Sequence, residues 1–358
     1  MCGQPVVDHD VDEAGLTARV RREAMDPRRS SCEPVDVQGA PPSVRMSLSR
    51  VGLTGVEKVI QLGVDGRSPQ LFSAQLECFV ELDPARRGRN MSRFDQVISE
   101  AVRDLALGDA GMRAERLAQA VAERVRERQD ARRAEVTIAA RVPERRPAPV
   151  SGAPTQEIST LYGRAVASER ATRWMVGVSA QGMTASPYAQ GVLVARARER
   201  LAAAGFSDAQ IARVLEDVPV ATHNQLGVGT LHVGCPQGCA LEFDVAVLLD
   251  IVEGAMSSEI FELLKRSDEA AVVERAHRRP RFAVDCVSTM IAGVVERFPG
   301  VPDEVFVSAA QENIETIQGH NVTAERAGSL GELRRELATG EPVARQTSMR
   351  EWLDANDD

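Results

Sequence analysis

Apolar residues recur along this chain at two spacings, every second residue and every third or fourth, and the two rhythms predict alternating groups of strands and helices. Between Val56 and Val80 the alternation predicts two strands around a turn at Asp65-Gly66. Phe94, Val97, Ile98, Ala101, Val102 and Leu105 then fall on one helical face, which Gly108 ends. A second helix is predicted over about 112–129, with Leu117, Val121 and Val125 inward and Arg and Glu outward. Val136, Ile138 and Ala140 open a strand that Pro143, Pro147 and Pro149 are expected to break, and another strand covers Arg173 to Ser179.

The second half repeats this order less cleanly. Helices are predicted over about 191–204 and 207–216 on either side of Gly205, then a hairpin pairing Thr230–Val233 with Ala240–Phe243. Two or three helices follow, one of them with Val284, Val287, Met290, Ile291, Val294 and Phe298 on a single face, and a final strand starts at Glu304. Strands in pairs separated by paired helices argue for an α+β class rather than a doubly wound sheet. Residues 1–35 carry charge without apolar periodicity and read as an arm, and 346–358 as a tail.

Composition narrows the function. The 358 residues are enough for two domains, and a hydrophobic content of 43% supplies a core in which aromatics, at 4%, play little part. Few aromatics and a net charge of −9 exclude stacking platforms and a basic nucleic-acid face. Arg124, Arg126 and Arg128 are interleaved with Glu123 and Glu127, as on a solvated helix. No segment is long and apolar enough to span a bilayer, and the first residues lack the basic and apolar regions of a signal peptide, so a cytoplasmic protein is expected. The six cysteines are then expected as reduced thiols, including Cys235 and Cys239, which lack the further ligands of a zinc knuckle. His277, in Ala276-His277-Arg278-Arg279-Pro280, reads as a solvated helix end.

Six segments, in order, carry a more specific signal: Asp36-Val37-Gln38 with Arg50-Val51-Gly52; Met91-Ser92-Arg93-Phe94; Gly182-Met183-Thr184-Ala185; Thr222-His223-Asn224-Gln225; Leu263-Leu264-Lys265-Arg266 with Asp268-Glu269; and Gln311-Glu312-Asn313 leading to His320. Together they resemble the type IB GTP cyclohydrolases, most closely the archaeal branch of methanopterin synthesis, over about 36–340. The resemblance implies two tandem tunnelling-fold modules, expected at 36–165 and 166–345, and association as a homodimer or homotetramer. It also implies a small heterocyclic substrate, with no nucleic-acid or membrane partner. In that family a divalent metal activates water to attack carbon 8 of guanine. The ring opens, formate leaves and a pterin closes.

Carried over residue by residue, the implied site is altered. The family's metal-binding Cys-Pro-Cys reads Ser186-Pro187-Tyr188, and the Glu and His expected three apart read Glu315 and Gln318. His223, Glu259, Glu315 and His320 are retained as the implied catalytic set, with Ser186 in the cysteine's place. Glu274 matches a buried glutamate that holds two adjacent N–H groups of the heterocycle, and Arg93 and Gln225 are further implied substrate contacts. Losing a thiolate and an imidazole removes the donors zinc prefers, so His223, Glu259 and Glu315 are expected to hold Mn or Mg weakly, or no metal. Without metal, His223 and a neighbouring glutamate would form an acid–base pair. Leu226 stands where the family has an arginine, which weakens an implied triphosphate site; Arg87, Arg89 and Arg93 are partial replacements.

Simpler readings stand beside these. His223 could be a structural histidine, Glu259 a dipole-stabilised carboxylate at a helix start after Ser257-Ser258, and Glu274 a surface residue. Ser186 as a nucleophile lacks a Gly-x-Ser-x-Gly setting. Three functions follow: a cyclohydrolase-like enzyme that has diverged to another purine or nitrogen heterocycle, a true GTP cyclohydrolase with a harder metal such as Mn, and a non-catalytic binding homologue.

Overall fold

In the computed structural model, residues 44, 46–64, 68–82, 91–101, 103–104, 112–343 and 346–355 are described. The chain begins with strands β1 (Leu48–Leu62) and β2 (Gln70–Leu82), helices α1 (Met91–Ala101) and α2 (Ala114–Arg128), and strands β3 (Arg133–Pro147) and β4 (Pro154–Ser168). It continues with β5 (Thr172–Ala185), α3 (Pro187–Ala203), α4 (Asp208–Asp217), β6 (Asn224–Cys235), α5 (Val245–Ala255) and β7 (Ser258–Glu259). Helices α6 (Arg266–Arg278) and α7 (Ala283–Arg297), strands β8 (Phe306–Ile314) and β9 (Val322–Ser329), and helices α8 (Leu330–Thr339) and α9 (Met349–Asp354) complete it.

The strands form one antiparallel sheet in the order β1-β2-β3-β4-β5-β6-β8-β9, with β7 paired to β5. This is the α+β class expected. Alternation decides which face each side chain meets. Ala134, Val136, Ile138 and Ala140 of β3, Trp174, Val176 and Val178 of β5, and Val307 and Ala309 of β8 join one core with α2, α5 and α7. Gly163 lets the first turn of α2 close onto β4, because a Cβ there would collide with the Ala114 backbone.

The intervening positions Val166, Met175 and Phe306 face the other way and form a smaller cluster with Trp352 and Leu353 of α9. Trp352 stacks on Phe306 with ring centroids 5.3 Å apart, donates from its indole nitrogen to the Glu304 carbonyl, and its own carbonyl accepts from Arg173 at 2.8 Å. The segment expected as a tail is therefore docked through its tryptophan.

Four other expectations are corrected. Strand β3 runs through Pro143 to Pro147, because its pairing with β2 ends at Ala140 and the missing N–H faces an unpaired edge. Strand β4, pairing with β3 over Arg133–Pro147, was not predicted, and residue 165 falls inside it. Residues 240–243 form no strand; β6 instead pairs with β5 and β8. Cys235 and Cys239 are joined as a disulfide across the turn that follows β6, whereas Cys78 and Cys286 are free and buried. The Asp65-Gly66 turn and the Gly108 helix stop lie outside the described residues.

Candidate active site

Three neighbouring strands end together at one edge of the sheet. Ser186 follows β5, His223 precedes β6 and Glu315 follows β8, with Thr184 opposite Gln225 and Leu226 opposite Ile314 in register. On β8 the inward positions change character along the strand, from Val307 and Ala309 to Gln311 and Asn313 and then Glu315. Gln311 and Asn313 are buried and bonded to each other at 3.0 Å. Room for Gln311 comes from Gly227, where a Cβ would stand 2.5 Å from its amide nitrogen.

Gln225 is the centre of the site. Its Nε2 donates to Oε2 of Glu315 at 3.0 Å and lies 3.3 Å from Nδ1 of His223, while its Oε1 accepts from the Thr184 hydroxyl at 3.3 Å. A carboxylate only accepts, so the amide orientation is fixed by Glu315. Nδ1 of His223 must then accept as well, which leaves the ring proton on Nε2. His223 and Glu315 approach to 3.9 Å, with 19% and 7% of their side chains exposed. Ser186 is tied to the same place: its backbone N–H donates to the His223 carbonyl at 3.1 Å, and its own carbonyl accepts from the Thr222 hydroxyl.

The loop before His223 is pinned from outside the sheet. Gln190 of α3 donates to the carbonyls of Val220 and His277, and Nε2 of His277 lies 3.2 Å from the Thr222 carbonyl. His277 is thus a buried brace, not the solvated helix end expected, because the end of α6 packs against this loop.

The other residues singled out from the sequence are elsewhere within the chain. Glu259 sits in β7 opposite Gly182 and is ion-paired with Arg275, so it does not start a helix. Glu274 is exposed on α6 and bonded to Arg278 one turn on, whereas a buried carboxylate was expected. His320 and Gln318 are exposed in the turn between β8 and β9. Arg93 lies in α1 but its side chain, like Arg87 and Arg89, is outside the described residues. Thr184 is the site residue that sequence reasoning passed over, although its place in Gly182-Met183-Thr184-Ala185 and its inward register signalled it.

Residues 35–324 match the model of the family described as type I GTP cyclohydrolase folE2. The chain belongs to that family. It is 36% identical over 310 residues to GTP cyclohydrolase MptA 1 of Methanocella arvoryzae, covering 86% of this chain and 98% of that protein. It is also 37% identical over 311 residues to GTP cyclohydrolase MptA of Methanocaldococcus jannaschii, covering 86% and 98%. Among solved structures it aligns with uricase from Arthrobacter globiformis at a TM-score of 0.44 and 8% identity, over 78% of this chain and 93% of that one. As a member of the type I GTP cyclohydrolase family the chain is an enzyme.

The metal that the family resemblance implies can be tested against these donors. Among the described residues no three His, Cys, Asp or Glu side chains come together as a metal set. His223 and Glu315 meet, but Glu259 is engaged by Arg275, Ser186 offers a hydroxyl where the family has a thiolate, and Gln318 points from an exposed turn. The expected trio of His223, Glu259 and Glu315 is not assembled within one chain, and its donors do not fit tight zinc. Among the described residues no helix is long and apolar enough to cross a membrane.

Proposed function

We propose that this protein is a GTP cyclohydrolase that opens the imidazole ring of GTP, releases formate and closes a pterin. The observation that carries this reading is the His223–Gln225–Glu315 cluster, placed at one strand edge of a chain whose relatives bear the name GTP cyclohydrolase. Glu315 takes a proton from water as it adds to carbon 8. His223, with its proton on Nε2, donates to the ring nitrogen that gains charge. Gln225 holds both groups in those roles. Among the described residues one chain brings together no three His, Cys, Asp or Glu donors, and His223 and Glu315 carry these proton transfers themselves.

Two features support a two-module, multi-chain architecture. Strands β1–β4, with two helices between the second and third, are followed after 169–171 by four further sheet strands, β5, β6, β8 and β9, with helices after the first and second of them. The sheet also ends in β1 and β9, which association as a homodimer or homotetramer would cover. Such association would allow the exposed Glu274 and His320 of one copy to reach the site of another.

The alternative, an enzyme diverged to another nitrogen heterocycle, draws on Ser186, Tyr188, Gln318 and Leu226. Relatives 36–37% identical over nearly their whole length favour the GTP reading instead. Incubation of the purified protein with GTP should yield formate and a fluorescent pterin, with the metal content measured in parallel. Absence of both products across added Mn, Mg and chelator would sink the proposal.

A further inference from the structure

The face of the sheet turned away from the helices carries a second polar cavity. Alternation places Ile60, Leu76, Ile138 and Leu161 in the core, so the residues between them project from the opposite face. Register lines up Glu57, Gln75, Ala139 and Tyr162 across β1 to β4, and the next row holds Arg141 opposite Thr160, with Ser73 on β2. Ala139 is the small member of its row, and a cavity of about 330 Å³ opens there, lined by these residues and Ala74. Thr184 and Gln225 of the candidate active site face the other way, into the core side.

Tyr162 forms a fixed wall of this cavity. Its ring lies against His232 with centroids 5.3 Å apart, and His232 sits over Gly177, where a Cβ would collide with the imidazole. Burial, and next the Arg164 charge, push the His232 pKa down to about 3, so the ring adds no charge near neutral pH.

Two opposite charges remain. Among the described residues the Glu57 carboxylate and the Arg141 guanidinium have neither an ion pair nor a hydrogen bond. Lys58 is turned to the other face and ion-paired with Asp95. Arg141 also borders a neighbouring cavity with Glu157, Glu253 and Glu262, but those carboxylates are engaged: Glu157 accepts from the Glu262 N–H, Glu262 from the Gln156 N–H, and Glu253 from Arg146. Glu57 and Arg141 stand two strands and two residues apart, roughly 12 Å between backbones by strand spacing and rise, a gap their side chains can close from both ends onto one small molecule. The cavity equals the liquid volume of about eleven waters, room for a ligand of about ten non-hydrogen atoms. A carboxylate suits the Arg141 fork, an ammonium suits Glu57, and Ser73, Gln75 and Thr160 offer hydrogen bonds to a neutral polar group.

We propose that this face binds a neutral polar α-amino acid, with its carboxylate on Arg141, its ammonium on Glu57 and its side chain along Gln75 and Tyr162. L-Glutamine is the probe, titrated calorimetrically into the wild-type protein, Glu57→Gln, Arg141→Gln, the double variant, Tyr162→Ala, and Arg335→Gln as an exposed control on α8. Butyrate and butylamine, each carrying one of the two charges, are titrated beside it. Wild type and Arg335→Gln should bind glutamine alike. Each charge variant should bind it about tenfold or more weakly, and butyrate and butylamine should fall behind by a similar factor.

No glutamine binding by the wild type up to concentrations on the order of 10 mM overturns the site, as does equal binding by wild type and a folded double variant. Butyrate or butylamine binding as tightly as glutamine overturns the zwitterionic ligand. If Tyr162→Ala fails to fold, the charge variants decide by the same titration. None of these outcomes turns on GTP turnover, so the cyclohydrolase reading is tested separately.

Discussion

Gln225 Nε2 lies 3.0 Å from Glu315 Oε2, and the same nitrogen faces Nδ1 of His223 at 3.3 Å. One amide therefore orients both members of the acid–base pair and assigns the imidazole proton to Nε2. Gln225→Leu is expected to lower kcat by roughly 10-fold to 100-fold, as loss of an orienting partner does, with KM for GTP little changed. In the wild type, nitrogen NMR of His223 should report an unprotonated Nδ1. A mixture of tautomers should appear in the variant, and an unchanged spectrum there would count against the role given to Gln225.

How much of this was legible in the sequence varies with the physics of each part. The helices were readable because α2 and α7 each bury one continuous stripe, as at Leu117, Val121 and Val125. Strand β4 was not, since its inward face carries Leu161, Gly163, Ala165 and Ala167, small residues with little hydrophobic contrast. His223 and Glu315 were named from a resemblance, and their meeting depends on β6 and β8 lying side by side, a long-range pairing that local pattern cannot reveal. The burial expected at Glu274 failed because α6 presents that position to solvent, beside Arg278.

Asp268 links α6 to the turn between β3 and β4. Burial raises its pKa, but the backbone N–H and hydroxyl of Ser151 and the N–H groups of Lys265 and Val150 outweigh this and hold the carboxyl well below the usual carboxylate range. A depressed folded pKa stabilises the fold above the unfolded pKa, and that stability is lost as pH falls through the folded value. Asp268→Asn should therefore lower the melting temperature at pH 7, with the gap to wild type narrowing as the pH falls below about 4. A gap independent of pH would show that the charge is not responsible.

Trp352 fastens α9 to the sheet face opposite the main core. Trp352→Ala should cost up to about 3–5 kcal/mol, the range for removing a large buried aromatic, and release α9. Chemical denaturation and hydrogen exchange over 346–355 test this; native protection of that segment in the variant would contradict it.

Ser186→Cys places a thiolate beside His223 and Glu315, and so supplies the donor type that zinc prefers. After dialysis against zinc and then buffer, this variant should retain far more metal than the wild type. Equal retention would mean that the residue at 186 does not face the His223–Glu315 pair.

The central claim is that His223 and Glu315 together open the imidazole ring of GTP. Formate released per GTP consumed, followed over time for wild type, His223→Ala and Glu315→Gln at matched folding, tests it most directly. One formate per GTP is predicted for the wild type, with both variants slowed by about 10²-fold or more, the scale of acid–base assistance. Variants that release formate as fast as the wild type would contradict the account.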